Sequence, residues 1–361
     1  MPNILLNRVP SKIREKLGSR STVCLLNGKE VFSGFALEPT IIMACNPRIR
    51  HVIPGIMRAA QELDAVIAFE LTRTEGGIDG GYTGQTPQIF FDTVINYADE
   101  TGFTKPFIIH ADHITVKDNS ANELEAAQQL VAAQLAAGFT SFAIDASFNP
   151  LPDNISLVSQ LAKPILAGDL GLEVEIGEAL DSEGKVTRTT PEEAERFLAG
   201  LADHGVSPQL LAIENGYKRG NILEGEVVLL DLEGTRSIYE IARSFGLAGL
   251  VQHGITGTPL RLVGKLADYG IKKGNIGTLW QNVAHAGLPL DLMDAMRQWA
   301  RSEKKDIKYA TGVFKNDIDA IPEDNRRQIE EMAFREAKEF ITAFNAKGSA
   351  TRLAATLNPP A

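Results

Sequence analysis

The sequence predicts an α/β fold, a (β/α)8 TIM barrel with additional C-terminal helices, and three observations carry that prediction. Short β-branched apolar runs alternate with amphipathic helical stretches from about residue 40 to about residue 300, the pattern of repeated βα units around a parallel sheet. The runs number eight, the strand count of such a barrel. Most polar residues of chemical interest fall at the C-terminal ends of the runs, which a barrel gathers on one face.

The predicted strands are 41–45 (IIMAC), 65–71 (AVIAFEL), 106–111 (PFIIHA), 141–146 (SFAIDA), 172–177 (LEVEIG), 210–215 (LLAIEN), 249–254 (GLVQHG) and 272–277 (KKGNIG). Between them lie helical segments such as IPGIMRAAQEL, NELEAAQQLVAAQLAAG and PEEAERFLAGLADHG. In the second of these, Ala, Leu and Val recur at three- and four-residue spacing and a glycine follows as the stop. Thr190-Pro-Glu-Glu193 reads as a capping box with proline in the first turn. Residues 72–90 form a glycine-rich loop after the second strand, at the end where barrel loops build a site; a surface insertion is the alternative reading. Beyond residue 300, EDNRRQIEEMAFREAKEFITAFNA predicts a long amphipathic helix packed on the barrel or on a second subunit, and ATRLAATLNPPA reads as a loosely held tail.

The 361 residues suit one decorated barrel domain, 1–361, with the barrel at about 40–300 and a helical extension at about 301–350. A formal charge of -10 argues against nucleic acid or an anionic membrane as main partner, so any local basic spot is expected to serve a small anion. Cys24 and Cys45, the only cysteines, are too few for a disulfide framework or thiolate cluster. The first residues lack an uninterrupted apolar segment, and no apolar run nears the roughly 18 residues of a membrane span. Neither secretion nor membrane insertion is therefore expected, and a cytoplasmic location is.

The residues at the strand ends are His110, Asp112 and His113 after the third, Asp145 after the fourth, and Glu173 and Glu175 on the fifth. Glu214 and Asn215 follow the sixth, His253 the seventh, and Asn275 lies on the eighth. Three of the six histidines fall in this set, and although each alone also fits a core or capping role, the joint pattern points to a site. His-Ala-Asp-His (110–113) offers an imidazole to a borderline metal with a carboxylate beside it as a base. Glu173 and Glu175 lie on one side of a strand; facing a barrel interior, they need a cation, a partner or a raised pKa. The turns His253-Gly-Ile-Thr-Gly-Thr-Pro259 and Lys273-Gly-Asn-Ile-Gly-Thr278 follow the last two strands, where barrels commonly hold phosphate, and ordinary tight turns are the alternative.

In order from about Asn46 to Thr278, these segments resemble the class II, metal-dependent fructose- and tagatose-bisphosphate aldolases. His110-Ala-Asp112-His113 is similar to the family's His-x-Asp-His, which implies His113 as a ligand of the catalytic Zn2+ and Asp112 as the acid/base at the leaving carbon group. The resemblance implies Asp145 and Glu175 at a second metal position and Glu183 as the mobile-loop glutamate that moves the proton next to the ketone. His253-Gly254-Ile-Thr256-Gly257 resembles the His-Gly-Gly-Ser-Gly turn, implying His253 as another zinc ligand and Gly254, Thr256 and Gly257 around the phosphate of dihydroxyacetone phosphate. Asn275 and Thr278 would touch ketose and phosphate, Glu70-Leu-Thr72 sits where the family has Gln-x-Ser, and Asn46, Gly216 and Lys218 complete the implied substrate contacts.

This chain departs from the family pattern at several positions. The histidine of the family's His-Gly-x-Tyr-Lys is missing from Ile213-Glu214-Asn215-Gly216-Tyr217-Lys218, so Glu214 or Asn215 takes its place. A His2Glu set keeps an open coordination position, whereas asparagine binds zinc poorly, so the ion could be held more weakly or be another divalent metal. Gly277 stands where the family has aspartate, and the loop GEALDSEG lacks the usual paired glycines. The resemblance implies enediolate chemistry on a phosphorylated sugar, a homodimer or homotetramer, and a monovalent cation near the phosphate. A changed aldol or epimerisation step on another sugar phosphate, or a non-catalytic aldolase-like subunit, are the alternatives.

Overall fold

The structure, a computed structural model, describes residues 4–177, 188–217, 220–221 and 229–359. All eight predicted strands form: β1 Ile42–Cys45, β2 Ile67–Thr72, β3 Phe107–Thr115, β4 Ser141–Asp145, β5 Gly171–Ile176, β6 Leu210–Ile213, β7 Gly249–Gln252 and β8 Ile271–Ile276. Each pairs in parallel with the next, and β8 pairs with β1 to close the barrel. Because side chains alternate across a strand, Phe69 and Phe107 face the surrounding helices, where their rings meet edge to face. Glu70 and His110, at the opposite parity on the same strands, turn inward. Helices follow each strand, among them Ile53–Leu63, Ala121–Ala137 and Pro191–Asp203, the last opened by the Thr190–Glu193 capping box. After β7 only the four-residue helix Leu260–Val263 and a 3-10 turn occur.

The N-terminal segment closes the bottom of the barrel. Leu26 N donates to Phe107 O and Gly28 N to Thr140 O, and the short helix Gly28–Gly34 lies against the start of β5. The predicted long helix is Glu323–Ala343, and it lies on the barrel across Ile53–Leu63 and Thr278–Gly287. Its crossing of Ile53–Leu63 needs Gly55, where an added Cβ would lie 2.2 Å from Glu330 O. Gly55→Ala is expected to force the helices apart and cost about 1–3 kcal/mol by overpacking, read as a lowered Tm with the strand ends of the barrel undisturbed. An unchanged Tm would show that the crossing relaxes freely.

One expectation for the C-terminus is corrected. Most of the stretch expected to be a loose tail lies in the helix Ser349–Leu357, with Ala350 and Leu353 buried one helical turn apart. Leu353 packs over Gly34, and Arg352 ties the helix to Glu38 and Thr40. Among the described residues, no helix is long and apolar enough to cross a membrane.

Candidate active site

At the C-terminal ends of the strands lies a cavity of about 210 Å³, lined among others by Asn46, Thr72, Asp112, His113, His253, Gly254, Thr256, Asn275 and Thr278. These residues are among those the sequence singles out, and the barrel brings them together from the ends of five strands. Gly216 and Gly257 do not line it; Glu183 and Lys218 lie outside the described residues. The two turns that end β7 and β8 are tied together, because Thr256 Oγ1 accepts a hydrogen bond from Leu279 N. The site thus has a wall built jointly by both turns.

Two groups of side chains able to hold a metal ion meet at His113. Ligand atoms of Asp112, His113 and His253 all lie within 4.8 Å of one another, as do those of His113, Asp145 and Glu175. The rings of His113 and His253 have centroids 4.4 Å apart. His113 sits at a break in the β3–β4 register with φ 40°, a left-handed backbone uncommon outside glycine. Such a bulge re-aims a side chain at a local cost, and here it turns the imidazole toward the carboxylates. His113 Nδ1 lies 2.8 Å from Glu175 Oε2 and 3.3 Å from Asp145 Oδ2. Burial alone would lower the pKa of His113, but Glu175, Asp112 and Asp145 hold it well above its ordinary value.

Asp112 is buried and held by two amides, with Asn46 Nδ2 donating over 3.2 Å and Asn275 Nδ2 over 3.0 Å. Below it, inside the barrel, is a charged layer where such barrels usually pack branched apolar residues. Lys273 Nζ lies 2.8 Å from Glu173 and 3.1 Å from Glu70, and it donates to His110 Nε2 over 3.0 Å. With Nε2 accepting, the His110 proton sits on Nδ1, which donates to Ser141 Oγ over 2.8 Å. Burial, then the Lys273 charge, keep His110 neutral, its pKa pushed well down. Burial pushes Glu173 up to about 7 against the pull of Lys273. Burial opposes the charge on Lys273 as well, yet Glu173, Glu70 and Asp112 keep it protonated. Glu173 therefore has its cation and Glu175 its imidazole partner, the two needs evident in their spacing.

Strand parity separates the two candidates after β6. Glu214 continues the inward row of Ala212 and is buried, with Oε1 accepting from Tyr217 OH over 2.8 Å. Asn215 falls on the outward row, where its amide pairs with Gln252 and Thr235 outside both groups that meet at His113. Of the two residues left open by the sequence, Glu214 turns inward and Asn215 outward. Among the described residues, Glu214 lies outside the groups that close to within 4.8 Å. Several cavity residues went unmarked in the sequence: Arg48, Glu75, Tyr82, Lys308 and Tyr309. Glu75 and Tyr82 fall inside the glycine-rich loop, whose position after β2 was the available signal; Lys308 and Tyr309 belong to the C-terminal extension and carried none.

A sequence model described as fructose-bisphosphate aldolase class-II matches residues 27–349. The chain belongs to this aldolase family. It is thus a class II aldolase-type enzyme, a carbon–carbon lyase, in a family that is generally metal-dependent and acts on phosphorylated sugars. The fructose-bisphosphate aldolase of Staphylococcus epidermidis is 28% identical over 233 residues, covering 62% of this chain and 71% of that protein. The aldolase of Geobacillus stearothermophilus is 27% identical over 233 residues, with 62% and 70% covered. Solved aldolase structures share the fold. The YdjI aldolase from Escherichia coli K12 has a TM-score of 0.62 at 19% identity, covering 89% of this chain and 98% of that one. A putative fructose-1,6-biphosphate aldolase from Coccidioides immitis has a TM-score of 0.64 at 18% identity, covering 89% and 96%.

Proposed function

We propose that this aldolase makes or breaks a ketose phosphate by metal-dependent aldol chemistry, with dihydroxyacetone phosphate or a close analogue as the enediolate-forming half. The observation that carries the reading is the meeting of Asp112, His113 and His253 beside the joined turns after β7 and β8. Two imidazoles with nearby carboxylates fit a borderline divalent ion such as Zn2+, and Glu175 and Asp145 hold His113 Nδ1 as carboxylates behind a ligating histidine do. His113 and His253 would hold the ion with an oxygen donor on the Glu214 side, and the ion, when bound, supplies Lewis-acid polarisation of the substrate oxygens.

The remaining steps belong to the chain's own groups. Thr256, Gly254 and Thr278 would bind the phosphate and fix the reacting end, and Asn275 would orient the ketose. Asp112, fixed by Asn46 and Asn275, would take the proton from the hydroxyl of the aldehyde half as the carbon–carbon bond breaks and return it in synthesis. Glu183 is assigned by resemblance to the proton on the carbon next to the ketone.

Elemental analysis of protein purified without chelator tests the reading. About one divalent ion per chain is expected in the wild type, with none in His113→Ala or His253→Ala. Glu214→Ala is expected to weaken metal affinity roughly 10–100-fold, the usual effect of losing a supporting group. A wild-type chain that takes up no metal even after reconstitution would overturn the metal-dependent mechanism.

A further inference from the structure

The acid/base assigned to Asp112 stands within reach of the ion that the two histidines would hold. Its carboxylate belongs to the group with His113 and His253 whose ligand atoms all lie within 4.8 Å of one another. Asp112 Oδ1 is 4.0 Å from His113 Nε2, the ring nitrogen left for an ion once Glu175 and Asp145 face Nδ1. Two ligands of one tetrahedral zinc lie about 3.4 Å apart, so a small shift would make this oxygen a third ligand. An aspartate bound to the metal is a poor acid/base, because ion and proton compete for the same carboxylate.

Strand β8 engages that oxygen with two groups. Lys273 and Asn275 are two residues apart on the strand and so project to the same side. Asn275 Nδ2 donates to Asp112 Oδ1 over 3.0 Å, and Lys273 Nζ lies 4.0 Å from the same atom. At that distance Lys273 makes no hydrogen bond to Asp112; its hold is the attraction of a buried full charge acting through a low dielectric. The ammonium cannot follow the carboxylate, because Glu173 on β5 at 2.8 Å, Glu70 on β2 at 3.1 Å and His110 on β3 at 3.0 Å fix it from three strands. His110 is braced in turn by Ser141 Oγ at 2.8 Å. Apolar side chains of like volume would fill this layer at no loss of stability, since a buried ion pair seldom stabilises more than they do. The cation beneath Asp112 therefore calls for a role other than holding the barrel together.

We propose that Lys273 is a positioning residue that, with Asn275, holds the Asp112 carboxylate off the metal and leaves it free to exchange a proton with substrate. The inference rests on the metal-dependent reading of the site and adds to it the means by which Asp112, close enough to ligate, does not.

Equilibrium dialysis with Zn2+ and the visible absorption of the Co2+-loaded chain test the proposal in the wild type, Lys273→Met, Asp112→Asn and the double variant. Lys273→Met is expected to bind Zn2+ roughly tenfold more tightly than the wild type, on the scale of changes made just behind a metal site, and to shift the Co2+ spectrum as a carboxylate joins the ion. In the Asp112→Asn background, most of that gain and all of the spectral shift are expected to vanish. A lysine of purely structural role would instead loosen the site when lost. A gain of equal size with asparagine at position 112 would reflect only the removal of a positive charge near the ion, and would overturn the proposal. Thermal unfolding accompanies each chain. If Lys273→Met does not fold, Asn275→Leu, which releases the same oxygen and keeps the Lys273 ion pairs, decides by the same measurements with the same signs. A wild-type chain that takes up no metal would overturn the metal-dependent reading itself, whereas metal uptake with unchanged affinity and spectrum in the folded variant would overturn this inference alone.

Discussion

Asp112→Asn is expected to fold as the wild type does and to lower kcat for aldol cleavage by roughly 10²–10⁴-fold, the usual span for loss of a positioned acid/base. The carboxylate is buried, faces two amide donors and lies 4.0 Å from Lys273 Nζ, so an isosteric amide keeps the volume but cannot take a proton. Because proton transfer occurs only in the transition state, kcat and kcat/KM should fall together while metal content stays at the wild-type level. Steady-state kinetics with elemental analysis on the same preparation check this. A kcat within a few-fold of wild type would place the acid/base elsewhere.

Lys273→Met is expected to be among the most destabilising single changes in the barrel. The ammonium is fully buried and is the cation between Glu70 and Glu173, and breaking such a pair from one side typically costs about 3–5 kcal/mol, because a charge remains unpaired. The loss should depend on pH with a definite sign. Burial already raises Glu173 to about 7, and without the lysine both carboxyls rise further. A carboxyl whose folded pKa exceeds its unfolded value of 4.5 binds protons more tightly when folded, so its penalty is absent below 4.5 and grows as pH rises toward the folded pKa. The Tm deficit of Lys273→Met should therefore be smaller near about pH 5 than near about pH 8, and Glu70→Gln in the same chain should restore part of it. A deficit that grows on acidification would contradict this account of the buried layer.

The sequence carried the fold through periodicity, since each β run is short, apolar and separated from the next by a helical pattern. It also carried the core of the candidate site, because His113, Asp145, Glu175 and His253 follow strands that a barrel must bring together. The bulge at His113 was not legible: a left-handed histidine leaves no mark in composition, and β3 was expected to stop at Ala111. Nor was the Glu70–Lys273–Glu173 layer, since its members lie on three strands far apart in sequence and pair only once the barrel has closed. Parity separates the directions of Glu214 and Asn215, but it needs a strand boundary accurate to one residue, and sequence boundaries are looser than that. The helix Ser349–Leu357 reads as a tail in the sequence because Leu353 and Leu357 are its only large apolar side chains, and their packing depends on a surface made by the N-terminal segment.

The seam where β1 meets β8 is fastened from outside by the helix Glu323–Ala343 and by Phe344, whose carbonyl accepts from Ile41 N and whose ring lies over Gly274. The two strands that complete the cylinder are therefore clasped by a segment synthesised after both. A growing chain on the ribosome can assemble every earlier strand pair in turn, but it cannot lock this one until the clasp has emerged. The barrel's last and most sequence-distant pairing thus carries the highest loop-closure entropy and the latest reward. This makes the nascent cylinder an open, edge-exposing sheet until the clasp has been made, and places its greatest risk of misassembly there.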